Sequence, residues 1–262
     1  MYSFDHEDAS SQFEFDFKYA DALTMCDRFT FFRYMAKHYA KEEGLIATMM
    51  PKPFADKTGT GAHFNMSLRD LETGRNLFAC APSEDKRGLG MTEMGYHFIG
   101  GILKHGRALC AAFAPTVNSY KRLVEGAWAP TTLTWGIDNR TVALRVLNNS
   151  ANACRLETRV IGSDVNPFLA MSACLTSGLY GIKKKMKLTQ PPTNGNGYLE
   201  KSFGTLPGTL WEATEKMKNS PLAKELFGKT FTDHFVQSRE WEWRQHLKAV
   251  TDWEYQRYFE II

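Results

Sequence analysis

The sequence predicts a mixed fold in which short strands and long helices build one compact unit. Three observations carry that expectation. Two segments alternate apolar and polar residues with a period of two. Longer segments repeat apolar residues at helical spacing behind capping residues. No internal repeat and no clear linker divides the 262 residues, so a single domain over 1–262 fits better than two.

The first alternating segment is Gln12 to Phe17, read as a strand with Phe13, Phe15 and Phe17 toward a core and Glu14 and Asp16 opposite. From about Lys18 to Glu43, Leu23, Phe29, Phe32, Met35 and Tyr39 recur near helical spacing, and Gly44 is a natural stop. Leu45 to Met50 reads as a strand entering a loop with two glycines, Gly59 and Gly61. The returning strand sets Ala62, Phe64 and Met66 on one face and His63, Asn65 and Ser67 on the other. That second face is either a solvent-facing surface or a site. Leu71 to Gly74 predicts a hairpin turn and Pro82 to Gly90 a loop. Thr92 is the expected cap of a helix to about Phe113, ended before Pro115.

Strand-like runs follow at 133–135, 139–146 and 154–160. Asn166-Pro167 opens a helix to about Met186 whose many Ala, Ser and Gly residues suggest close packing. Gln190 to Gly204 is polar and is the expected mobile excursion. Thr209–Glu212 and Thr251–Glu254 both fit a capping box, and Ser220-Pro221 starts a further short helix. Trp241, Trp243, Trp253, Tyr255, Tyr258 and Phe259 are read as core and interface aromatics.

Composition is that of an ordinary soluble globular protein. The net charge of +3 is too small to argue for nucleic acid, and Lys183 to Lys187 reads as a solvated helix end. Five cysteines, an odd number with no CxxC pair, favour free thiols in a reducing cytosol. The acidic N-terminus lacks the apolar core of a signal peptide, and the apolar run from Phe168 to Ile182 is too short to span a bilayer. A cytoplasmic location is expected.

Two groupings could carry chemistry. Glu7 and Glu14 crowd one short segment, and crowded carboxylates either repel or share a hard cation such as Mg²⁺. Arg122, Arg140, Arg145, Arg155 and Arg159 cluster within about forty residues, and arginine suits bidentate recognition of phosphate and carboxylate. Arg155, Glu157 and Arg159 share one strand face, as a structural ion-pair ladder or as a seat for a polyanion and its metal.

Five motifs in order resemble the glutamine synthetase family: Met50-Pro-Lys-Pro with Gly61-Ala-His-Phe-Asn65, Asn118-Ser-Tyr-Lys-Arg-Leu123, Asn139-Arg140, Arg155-Leu-Glu-Thr-Arg159 and Asn166-Pro-Phe-Leu169. The ending from Thr251 to Phe259 looks like the bacterial branch that includes γ-glutamyl-amine ligases. The resemblance implies an α+β fold, a largely antiparallel sheet packed by helices. It also implies ATP-dependent ligation of ammonia or an amine to the γ-carboxylate of glutamate through an acyl phosphate, with Mg²⁺ or Mn²⁺.

By resemblance, Glu7 and Glu14 match the acids of one metal site, and His63 and Glu157 match ligands of the second. Arg122, Arg159 and Gly59 match substrate-glutamate contacts, and Arg140 matches the arginine at the transferred phosphoryl. Asn65, Ser67, Arg145 and Arg155 match nucleotide contacts. Trp128 stands where the family carries a flap glutamate, which puts ammonia in doubt and favours a larger amine. The resemblance also implies that the chain begins inside the catalytic domain, without the family's small N-terminal β-grasp domain. The full-length protein is expected as a ring-forming homo-oligomer. The alternative expectation is a truncated or degenerate member that keeps the fold and partial nucleotide and metal binding.

Overall fold

The computed structural model describes residues 2–262. A four-stranded sheet in the order β3-β6-β5-β4 lies at the centre. Its strands are β3 (Phe64–Met66), β4 (Trp135–Ile137), β5 (Leu144–Leu147) and β6 (Arg155–Thr158). β6 pairs antiparallel with both β3 and β5, and β4 runs parallel to β5. A separate antiparallel hairpin is made by β1 (Ser3–His6) and β2 (Phe13–Asp16). The result is the α+β arrangement expected, with one parallel pair at the sheet edge.

One face of the central sheet is apolar because its inward positions are. Met66, Leu144, Val146 and Leu156 are buried there with Trp135. They meet Phe78, Phe98, Ile99, Leu109 and Phe113 in the same core. Much of that second group comes from helix α2 (Glu93–Phe113), which Thr92 caps by accepting from the Gly95 N–H. Helix α4 (Pro167–Lys183), capped by Asn166, packs on α2 at close range. Its small residues are the reason. A Cβ at Gly101 would lie 2.9 Å from the Cα of Gly181, and one at Gly178 would enter the Phe98 ring.

The remaining helices are α1 (Ala22–Glu42), α3 (Ser119–Arg122), α5 (Leu210–Lys218), α6 (Pro221–Phe227), α7 (Lys229–Lys248) and α8 (Asp252–Tyr258). α1 starts later than predicted because Asp21 supplies its cap, accepting from the Thr24 N–H. α4 ends at Lys183 rather than near Met186, and Lys185 just beyond is left-handed at φ 47°. Thr251 forms the full capping box, whereas at Thr209 the Glu212 carboxylate reaches Gly208 instead. Among the described residues no helix is long and apolar enough to cross a membrane.

Several expected elements differ in one way: the local pattern is present but the cover it implies is not. Leu45 to Met50 is not a strand, since no neighbouring strand pairs with it, and Leu45 and Ile46 are exposed. Phe13 and Phe15 face no core; both are exposed, and only Phe17 is half-buried. Of the named C-terminal aromatics only Trp243 packs against the core; Trp241, Trp253, Tyr255, Tyr258 and Phe259 are exposed on the single chain, which leaves their expected place at an interface open. The 190–204 segment is a loop but is tied down. Asn139 Nδ2 donates to the carbonyls of Thr193 (3.0 Å) and Gly195 (2.8 Å), and Tyr198 is buried.

Candidate active site

The polar face of the sheet is built by register. Asn65 pairs with Glu157, Glu157 with Arg145, and Arg145 with Gly136, so these positions form one row across four strands. Side chains two residues apart on a strand share a face. Arg155 and Arg159 therefore flank Glu157, and His63 stands beside Asn65 at the start of β3.

Glu157 is the hub. One carboxylate oxygen accepts from Arg159 Nη1 (2.9 Å) and Arg145 Nη1 (3.3 Å), and the other lies 3.4 Å from His63 Nδ1. Burial by itself would raise this carboxyl. The hydrogen-bonded His63 ring and the Arg159 guanidinium outweigh that cost and hold Glu157 well below the usual carboxylate range. Burial lowers His63, as do the charges of Arg159 and Arg122. A neutral ring that donates from Nδ1 to Glu157 leaves Nε2 as an acceptor, 3.5 Å from Arg122 Nη2.

Arg122 closes α3 and is buried, yet among the described residues no carboxylate lies within ion-pair distance of it. Its nitrogens donate to the backbone carbonyls of Val160 (3.1 Å) and Arg159 (3.0 Å). Burial, with Arg159 nearby, brings its pKa down to about 10. Two glycines make room for it. A Cβ at Gly59 would lie 2.8 Å from Arg122 Cγ, and one at Gly61 would lie 2.6 Å from Arg122 Nη2 and 2.9 Å from His63 Nε2. Asn118 holds the preceding stretch, accepting from the Lys52 N–H (2.8 Å) and donating to the Lys52 carbonyl (2.9 Å).

Arg159 also donates to the carbonyls of Arg140 (3.0 Å) and Trp128 (3.2 Å). Trp128 sits in the left-handed region at φ 54° with its indole 55% exposed. In the same loop Glu125 pairs with Lys201 at 3.0 Å. At the outer end of the sheet Arg155 Nε donates to Asn65 Oδ1 at 3.0 Å. Ser67 is exposed beyond it. Arg145 is further engaged by Asp138.

The hairpin supplies the remaining acids. Partial burial, then the Glu7 charge, raises the Glu14 pKa, and the Arg140 charge opposes them. Glu7, Glu14 and Arg140 thus share one neighbourhood. Two neighbouring carboxylates are an oxygen donor pair suited to a hard divalent cation. The His63–Glu157 pair is different, because arginines already occupy that carboxylate. Among the described residues, no three His, Cys, Asp or Glu side chains gather as a metal-ligand group.

The structure therefore brings His63, Glu157, Arg122, Arg145, Arg159 and Gly59 together, sets Asn65 and Arg155 along the same sheet face, and places Arg140 beside the Glu7–Glu14 pair. Sequence reasoning placed Gly61 in the two-glycine loop without giving it a site role, and it missed Asp138 and Gln12, for which no local signal exists.

With that geometry in view, the sequence matches the family described as glutamine synthetase, catalytic domain, over residues 1–258, and the chain belongs to that family. It is 43% identical to a type-1 glutamine synthetase 2 of Dictyostelium discoideum, over 95% of this chain and 48% of that protein. It is 37% identical to a glutamate–isopropylamine ligase of a Pseudomonas species, over 98% of this chain and 55% of that one. A solved GmaS–ADP complex superposes with a TM-score of 0.88 at 36% identity, covering 99% of this chain and 60% of that one. The chain thus spans about half to three-fifths of the length of these relatives.

Proposed function

We propose that the chain carries the catalytic half-site of an ATP-dependent ligase that joins ammonia or an amine to the γ-carboxylate of glutamate through γ-glutamyl phosphate. The observation that carries this reading is Arg122, a buried guanidinium with two backbone carbonyls and no carboxylate against it. A buried cation left unpaired is costly, and an anionic ligand is the natural complement. Relatives named as glutamine synthetase and as glutamate–amine ligases support the same chemistry.

In this reading Arg122 and Arg159 hold the glutamate, with Gly59 shaping the loop beside it. Arg140 offsets charge at the transferred phosphoryl group, and Asn65, Ser67, Arg145 and Arg155 face the nucleotide. Glu7 and Glu14 would hold a divalent cation, Mg²⁺ or Mn²⁺, which supplies charge neutralisation to the phosphates. His63 and Glu157 would serve a second cation, in competition with Arg145 and Arg159 for one carboxylate. The exposed Trp128 indole, on a loop fixed by Arg159, favours an amine with an apolar substituent over ammonia. The cytoplasm and a homo-oligomer complete the proposal.

A second reading is a family member that binds anions without turnover. It is favoured by Glu157, one of whose carboxylate oxygens is already taken by Arg145 and Arg159. Phosphate release from ATP, measured with glutamate and a panel from ammonia to branched alkylamines, separates the two. The ligase reading expects turnover that is highest with an apolar amine. It also expects Arg122→Gln to weaken glutamate binding by on the order of tenfold to a hundredfold, the worth of charge-assisted hydrogen bonds. Binding of glutamate and nucleotide with no release for any amine would leave the second reading.

A further inference from the structure

The β1–β2 hairpin carries both proposed cation ligands, yet it has a slight hold on the rest of the molecule. All its strand residues are exposed. Its apolar attachment is Phe15 and Phe17 against Phe32 of α1, at ring-centroid separations of 4.8 and 5.2 Å. Its polar attachment is concentrated at the turn between Glu7 and Glu14. There the Gln12 side chain accepts from the Ala9 N–H (3.1 Å), which closes the turn. Its Nε2 donates to the Gly59 carbonyl (3.0 Å) and to Thr60 Oγ1 (3.1 Å). The Asp8 carboxylate adds a bond from the Thr58 hydroxyl.

One side-chain amide therefore joins the acidic turn to a loop 47 residues further along the chain. That loop has no slack against the anion site. A Cβ at Gly59 would meet the Pro51 carbonyl at 2.7 Å and Arg122 Cγ at 2.8 Å. The Thr60 N–H is in turn bonded to the Pro51 carbonyl at 2.7 Å. The Gly59 backbone thus lies directly against the Arg122 side chain and the Pro51 carbonyl, so a displacement of this loop toward them is passed on, because packed groups do not compress.

We propose that Gln12 is a positioning residue that couples the two halves of the site, so that a divalent cation at Glu7 and Glu14 and a carboxylate ligand at Arg122 strengthen each other's binding. The proposal rests on the functional reading for what each half binds and adds the residue that links them. Such coupling is reciprocal: the factor by which the cation tightens the anion equals the factor by which the anion tightens the cation. Gln12 touches neither ligand, and its removal acts on that factor rather than on either intrinsic affinity.

The test uses the whole chain as wild type and as Gln12→Met, which keeps the length and loses both polar groups. Mn²⁺ and glutamate are titrated calorimetrically, each alone and each with the other saturating. Hydrogen exchange is measured without ligand. In the wild type, Mn²⁺ should tighten glutamate about fivefold or more. In Gln12→Met each ligand alone should bind within about twofold of wild type while the coupling factor falls to about one. The amides of the hairpin and of Thr60 should exchange about tenfold faster, with β6 amides unchanged as a control that the core is folded. Retained coupling in Gln12→Met, no coupling in a wild type that binds both ligands, or unaltered exchange at Thr60 and the hairpin each overturns the proposal. A wild type that binds neither ligand overturns the functional reading and the coupling with it. The exchange data then still report whether Gln12 ties the hairpin to the loop.

Discussion

β2 and β3 are written in the same pattern and live in opposite surroundings. Both alternate large apolar residues with polar ones. β3 lies in a four-stranded sheet with helices behind it, and Phe64 and Met66 pack against the core. β2 pairs only with β1, and its four residues are all exposed. Alternation establishes that a strand has two unlike faces. It does not say what covers the apolar one, because cover comes from elements far away in the chain.

The acids on the two regions show the same contrast in energetic form. Glu157, on the strand that pairs with β3, is buried among cations. Glu14, on β2, has Glu7 for a neighbour. Glu157→Ala should give the largest effect, about 3–5 kcal/mol of stability lost at pH 7, because the buried Arg159 and the partly buried Arg145 lose their shared carboxylate. Glu14→Ala should leave stability unchanged or slightly raised. Urea unfolding of the two variants checks the pair, and equal losses would break the contrast.

The sequence made parts of this legible and not others. Helix starts were readable because caps act within a turn: Thr92, Asn166, Ser220 and Thr251 each accept from a backbone N–H close by. The polar face of β3 was readable from His63, Asn65 and Ser67, and the arginine cluster from its density. The shared carboxylate was not readable, because Glu157 meets Arg145 only through the β5–β6 register. The strand Ser3–His6 carries no alternation and forms only because β2 pairs with it. Leu45 to Met50 has the composition of a strand and no partner. Gln12 gives no local sign of its bond to Gly59.

A smaller effect sharpens the contrast through pH. The ordinary glutamate value is 4.5; the folded state lowers Glu157 and raises Glu14. A lowered carboxyl contributes stability that is present above the unfolded value and is lost as pH falls toward the folded one. A raised carboxyl does the opposite: its ionised form costs stability at neutral pH, and the cost disappears below the unfolded value. The deficit of Glu157→Gln against wild type should therefore narrow as pH drops below about 4.5. Any gain from Glu14→Gln should be present at pH 7, fade as pH falls through the raised folded value, and be gone by about 4.5, where the Glu157→Gln deficit only begins to narrow. Unfolding free energies between pH 7 and pH 3 decide it, and parallel curves for both variants would remove the electrostatic distinction between the two regions.

The smallest effect is expected at Phe13. Its ring is 54% exposed and stacks on Phe4 at 5.4 Å, itself an exposed side chain. Truncating a buried phenylalanine costs several kcal/mol because a cavity opens, but here solvent already reaches the ring. Phe13→Ala should change global unfolding by about 0.5 kcal/mol or less, as other exposed substitutions do. The loss should appear instead as local opening, since a two-stranded hairpin is marginal without a covered face. Faster exchange of the hairpin amides beside an unchanged urea midpoint is the expected signature. A drop of several kcal/mol in the urea experiment would mean that the apolar face of β2 is covered in solution, and that β2 and β3 are alike after all.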